Sequence, residues 1–301
     1  MSEERAEWLE KKERGSPWIL STTFKIARFV GRGPMKPLVH AVALWYRLFD
    51  RKTSGASRAW LKRVTGEEPS FWEVYRHLRV FAQVTLDRMF LLCGSLDAFT
   101  FTRNGNEHLQ AQLATGRGAV LLGAHVGSYE AMRASGSVED IPIKILGYFK
   151  NAQQINALLA ELNPGQAARV IHIGEDVMSA TMQAQDAIER GELVALLGDR
   201  VGLNARVVEA EFFGQTASFP AGPFLLASLL KCPVYLVFGL YSDPNRYDLY
   251  CIPFSEKLDL PRKSRETSLQ EVVQRFATEL EQTCRRAPLN WFNFFDFWRK
   301  P

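Results

Sequence analysis

Along the chain, apolar positions change their period once. Up to about residue 114 they recur at helical spacing, and from residue 119 onward short continuous apolar runs alternate with helical stretches. Phe71, Val74, Tyr75, Leu78, Phe81, Leu86, Met89, Phe90 and Leu92 mostly fall three or four residues apart, which predicts a helix over Glu68–Leu92 that starts after Pro69-Ser70. Two or three amphipathic helices are expected between Ser16 and Arg63, broken at Gly31–Pro34 and Lys52–Gly55, and another over Glu107–Ala114. Ala119–Ala124, Ile143–Tyr148, Arg169–Ile173, Leu193–Leu197 and Val234–Leu240 are then apolar without alternation, the pattern of strands buried on both faces. Helical stretches near Ser128–Ser135, Ala152–Leu162, Asp176–Arg190 and Ala221–Leu230 separate them. Such alternation needs crossover connections and therefore a mainly parallel sheet. Phe212–Leu230 reads as a loop running into a buried helix, and Tyr247–Phe254 as a further strand at an antiparallel edge. A long helix over Ser268–Arg286 and the aromatic tail Trp291–Trp298 follow. The expected fold class is α/β: a mainly parallel central sheet flanked by helices, in one domain, with an amphipathic helical N-terminal cap over residues 1–67 and a core over 68–301.

Composition narrows the classes. With 301 residues, 47% of them apolar and 23% charged, the chain can bury a sizeable core and is not disordered. Cys93, Cys232, Cys251 and Cys284 form no C-x-x-C pair, which argues against a disulfide scaffold or a zinc knuckle and suits a reducing compartment. Met1–Arg14 is charged without an apolar core, so no signal peptide is expected. The apolar run Pro37–Tyr46 stops at Arg47, well short of the roughly 20 residues a spanning helix needs. Charge is unevenly spread: residues 11–63 hold thirteen Lys and Arg against two acids, while the rest of the chain is net acidic. Interleaved with Trp18, Phe24, Phe29, Trp45, Tyr46 and Phe49, this segment reads either as a surface for an anionic membrane or as a helical cap with solvated charges. Nucleic acid is disfavoured, because no nucleic-acid motif accompanies the charge.

Ligands of open α/β sheets gather at the carboxyl ends of strands, and two polar clusters lie at such ends. One is His125-Val126-Gly127-Ser128-Tyr129-Glu130 after Ala119–Ala124, the other Gly198-Asp199-Arg200 after Leu193–Leu197. Parallel neighbours would bring both to one edge. His125 is placed to act as a general base, with Glu130 one helical turn on as the carboxylate that orients its ring. The same spacing also fits a histidine capping a strand and a glutamate on a solvated helix face. The chain has no H-E-x-x-H, G-x-S-x-G, Walker A or G-x-G-x-x-G element. A base without a side-chain nucleophile suits direct transfer, in which an activated hydroxyl attacks a carbonyl brought by a second substrate.

His125-x4-Glu130 behind an apolar strand resembles the first signature block of glycerolipid and lysophospholipid acyltransferases. It is most similar to the bacterial lipid A late acyltransferase branch, where the block likewise ends in Glu. Ala195–Gly202 resembles that branch's acidic strand-end block, Val208–Pro220 with Phe212-Phe213-Gly214 its FFG-x-x-A motif, and Cys232-Pro233-Val234 its last block. The likeness runs from about Pro37 to Trp298. Lys150 stands nearest to an Arg of the branch, and Arg200 follows Asp199 where many members carry Gln.

The resemblance implies transfer of an acyl chain from an acyl carrier protein or coenzyme A thioester to a hydroxyl of a lipid or lipid-linked acceptor, with no cofactor and no metal. His125 would be the base and Glu130 its orienting acid, while backbone N–H groups at Gly127 and Ser128 would receive the developing oxyanion. Lys150 and Arg200 would bind phosphate or another anion on the acceptor or donor, with Asp199 in the same substrate-binding set. Phe213 and Phe219, with Gly214 and Pro220 of the same motif, either line an acyl channel or pack in the core. The enzyme would sit peripherally on the cytoplasmic face of the inner membrane, docked through its basic N-terminal third. A soluble acyltransferase for a small hydroxylated or amino acceptor, and a non-catalytic lipid-binding protein, are the competing readings.

Overall fold

A computed structural model describes residues 26, 27, 29–138, 141–147, 170–173, 176–202 and 205–298. Three helices come first: α1 (Lys36–Phe49), α2 (Arg51–Thr65) and α3 (Phe71–Leu92). Asp50 separates α1 from α2 and caps the latter by accepting from the Thr53 N–H at 3.0 Å. The expected break at Lys52–Gly55 is therefore displaced, and Gly55 lies inside a helix. A reciprocal cap starts α3: Ser70 Oγ accepts from the Glu73 N–H and Glu73 Oε2 from the Ser70 N–H. The expected helices before residue 26 lie outside the described residues.

The sheet follows, with β1 (Thr100–Asn104), β2 (Val120–Gly123), β3 (Ile143–Gly147), β4 (Val170–His172), β5 (Leu193–Leu197), β8 (Val234–Ser242) and β9 (Arg246–Ser255) in the order β1-β9-β8-β2-β5-β3-β4. Strands β8, β2, β5, β3 and β4 are parallel, as their unbroken apolar runs require. Helices α4 (Asn106–Ala114), α5 (Tyr129–Val138), α6 (Val177–Glu189), α7 (Gly222–Leu230) and α8 (Arg265–Arg286) complete the chain. The expected helix over Ala152–Leu162 lies outside the described residues.

Two local expectations are corrected. β9 is antiparallel to β8 but is not an edge, because β1 pairs beyond it in parallel. β1 carries a mixed, mostly exposed sequence, so no apolar run announced it. The stretch expected as a loop before α7 is a hairpin of β6 (Val207–Phe212) and β7 (Gln215–Pro220). Phe213 and Gly214 turn it at φ values of 52° and 72°, the left-handed pair that suits a two-residue hairpin. Gln274 of α8 closes the edge of β6 by pairing with both backbone groups of Glu211.

Side chains alternate across the sheet. Leu121, Ile143, Ala195 and Val237 face α4 and α5 in a small apolar cluster. Val120, Leu122, Val194, Leu196, Leu236 and Phe238 face the larger core. The aromatic tail enters that core, where Trp291 stacks on Trp60 and lies against Phe212 and Phe297.

Candidate active site

β2 and β5 are direct neighbours, with Gly123 opposite Leu197. Both polar clusters therefore emerge together at the middle of the carboxyl edge. There His125 Nδ1–H donates to Asp199 Oδ1 at 2.8 Å, and the His125 backbone N–H donates to Oδ2 at 3.0 Å. Asp199 is fully buried, and Asn293 Nδ2–H also donates to its Oδ2 at 3.0 Å. Burial alone would raise the Asp199 pKa, but His125, Arg200 and the Asn293 amide hold it down at about 2. An ionised Asp199 accepts the proton on Nδ1 and leaves the Nε2 lone pair of His125 uncommitted by this bond. Burial, then the positive charge of Arg200, lowers the proton affinity of His125, against the opposing pull of Asp199. The imidazole is thus neutral near pH 7, and its side chain keeps 28% of its surface exposed. A neutral, oriented and reachable imidazole can take a proton from an alcohol.

Glu130 does not orient this ring. It sits in the first turn of α5 and pairs with Arg88 of α3 at 2.7 Å, so its carboxylate is directed to a helix neighbour. The expected dyad is corrected to His125–Asp199: residues adjacent across a parallel pair of strands are closer than residues five apart around a strand-to-helix turn. Glu130 still contributes negative potential at His125.

The chain matches a family described as bacterial lipid A biosynthesis acyltransferase over residues 4–300. The chain belongs to this family. It matches no curated protein. As a lipid A acyltransferase family member it is a transferase, and the chemistry of the family is acyl transfer to a lipid acceptor.

The remaining expected residues of this acyltransferase are spread more widely. Gly127 holds φ +67°, and a Cβ there would fall 2.0 Å from the Gly239 carbonyl oxygen, so glycine is required by the close approach to β8. Its N–H donates to Asn290 O, and the Ser128 N–H to Gly239 O. Both expected oxyanion donors are therefore spent on backbone carbonyls. Ser128 is buried and caps α5, its Oγ accepting from the Ala131 N–H. Arg200 donates through Nε to Asn293 Oδ1 at 2.7 Å and through Nη2 to Phe292 O at 3.1 Å. Burial lowers its pKa to about 10, with Asp199 opposing, so it remains a cation.

Phe213 and Gly214 form the hairpin turn, with the Phe213 ring between Trp60 and the Arg285 guanidinium. Phe219 is fully buried against Phe212, Phe276 and Phe297, and Pro220 is buried at the end of β7. The motif thus packs the core. A small apolar cavity of about 70 Å³ lies elsewhere, on the α4–α5 face, with walls that include Leu109, Leu121, Tyr129, Met132, Ile143 and Val237. Lys150 lies outside the described residues. Among the described residues no group of three or more His, Cys, Asp and Glu is arranged to hold a metal ion.

Sequence reasoning missed Asn290 and Asn293. The tail 290–293 lies beside the β2 end: Val126 bridges Trp291, and the Phe292 N–H donates to His125 O. Asn290 pairs with both backbone groups of Tyr241 on β8. Two asparagines within an aromatic run were the available signal, since buried amides need partners.

Proposed function

We propose that His125 is the general base of an acyl transfer from an acyl carrier protein or coenzyme A thioester to a hydroxyl of a lipid or lipid-linked acceptor. His125 Nε2 takes the hydroxyl proton as the oxygen attacks the thioester carbonyl. The tetrahedral intermediate expels the thiolate, which recovers that proton from the imidazolium. Asp199 stabilises the imidazolium while it lasts, and Arg200 supplies positive charge beside the developing oxyanion. The observation that carries this reading is the 2.8 Å bond between a reachable His125 and a buried Asp199.

Access to an embedded acceptor comes through the N-terminal helices. Val39 and Ala43 of α1 are buried, yet Leu38, Val42, Trp45 and Phe49, a stripe at helical spacing, are exposed, Phe49 by 70%. Phe29 and Trp72 are also exposed, by 92% and 65%, and so are Lys36, Arg51 and Lys52 of the same N-terminal region. Exposed apolar area with cations in the same region suits insertion into the anionic surface of the inner membrane from its cytoplasmic side, each cation adding ~1 kcal/mol. Among the described residues no helix is long and apolar enough to cross a membrane.

Two experiments test the reading. Mass spectrometry of lipid extracts from cells with wild-type or His125→Ala protein is expected to show a lipid heavier by one acyl chain only with the wild type. The same lipid in both would refute His125 as the base. Flotation with anionic and neutral vesicles is expected to recover the protein with the anionic ones and to weaken with Trp45→Ser plus Phe49→Ser. Equal recovery of that double variant would remove the docking surface.

A further inference from the structure

Asn293 stands between an anion, Asp199, and a cation, Arg200, and both meet on its one side chain. Nδ2–H donates to Asp199 Oδ2 at 3.0 Å, and Oδ1 accepts from Arg200 Nε–H at 2.7 Å. We propose that Asn293 is a positioning residue that keeps the Asp199 carboxylate aligned on His125 by holding Arg200 and Asp199 on opposite ends of a neutral amide. The proposal rests on the catalytic reading of His125. It extends that reading to a residue far away in sequence, on a segment without chemistry of its own.

Asp199 is closed to water, so its orientation is set by donors alone. Oδ1 has His125 Nδ1–H, while Oδ2 has the His125 backbone N–H and the Asn293 amide. Without Asn293 the carboxylate loses one anchor, and Arg200 loses the acceptor that directs its Nε away from Asp199. An arginine beside a buried carboxylate then competes with the imidazole for the same oxygens. A carboxamide offers both a donor and an acceptor on one uncharged planar group. The amide is itself placed by backbone pairing, since Trp291 bridges Val126 and Phe292 N–H donates to His125 O, so the tail and the base shift together.

The test uses the full-length protein, labelled with ¹⁵N at its five histidines, with His125→Gln to assign the His125 signals. The charged and titratable groups facing His125 are Asp199 and Arg200 at the β5 end and Glu130 of α5 with its partner Arg88 of α3, while the Asp199 charge helps to raise the pKa of buried Cys284 on α8. Asn293→Ala is expected to lose the low-field Nδ1–H signal to solvent exchange. It is also expected to lower kcat about 10- to 100-fold with palmitoyl-CoA or palmitoyl-acyl carrier protein and a bacterial lipid extract, with KM changed less than threefold. A folded Asn293→Ala protein that retains its Nδ1–H signal overturns the inference. So does a lowered melting temperature as the only change. If His125→Gln retains full activity, the catalytic reading fails instead, and the NMR result still decides whether Asn293 positions the pair.

Discussion

Replacing Asp199 by an asparagine separates the two carboxylates that compete for the role of orienting His125. The substitution keeps the shape of the side chain and removes its charge. In the native site the Nδ1–Oδ1 distance of 2.8 Å puts the centres of charge of an imidazolium and Asp199 about 4 Å apart. At an effective dielectric constant of about 20, that attraction is worth about 4 kcal/mol. It acts only when the ring is protonated, so its loss falls on the transition state. At about 1.4 kcal/mol per decade this is a fall of about 10³-fold in kcat, with KM little changed. The carboxamide introduced by Asp199→Asn can also donate to Nδ1, which would place the ring proton on Nε2 and block the base. Glu130→Gln removes a charge already paired with Arg88 and not bonded to His125, so its cost is expected to stay within about tenfold. The assay is initial-rate release of free thiol from an acyl thioester in micelles containing lipid extract, on proteins whose near-ultraviolet circular dichroism matches the wild type. A Glu130→Gln defect equal to or greater than that of Asp199→Asn would refute the assignment.

Other outcomes follow from the same geometry. Because burial and Arg200 lower the proton affinity of His125, the base form persists to lower pH than a free imidazole. The acid limb of kcat/KM should lie below pH 6.5, and Arg200→Gln, by removing a depressing cation, should move it to higher pH. His77 is buried between Ser57 Oγ and Trp291 O, and burial lowers its pKa to about 4. The unfolded chain takes up this proton first, so the stability from neutral His77 is complete above pH 6.5 and is lost as pH falls toward 4. The difference is about 3 kcal/mol. Urea unfolding at a series of pH values should show that slope, and His77→Gln should flatten it. Gly127→Ala forces a Cβ against the Gly239 carbonyl from a left-handed backbone and should cost about 3 kcal/mol or more in urea unfolding, with loss of acyl transfer because His125 moves with the turn.

Most of the sheet was legible in the primary structure. Strands buried on both faces must be continuously apolar, and helices packed on one side must repeat every three or four residues. Leu193–Leu197 and Asp176–Arg190 accordingly read as what they are. β1 escaped because an edge strand with solvent on it needs no such run. The β6–β7 hairpin escaped because its turn uses Phe213, a residue that pattern reasoning does not expect at positive φ. His125 and Asp199 both stand out in the sequence, and the strand pairing brings them to one edge as expected, where the ring bonds Asp199 while Glu130 pairs with Arg88.

The division has a physical cause. Periodicity and turn chemistry record interactions within a few residues, so the chain itself determined its α/β class, the exposed N-terminal stripe and the strand end on which His125 sits. Strand order is a long-range choice made by burial of whole faces. Only that order set Asp199, 74 positions away, against the imidazole and carried the tail with Asn293 beneath them both. Glu130, near in sequence, was turned by the pitch of α5 toward Arg88.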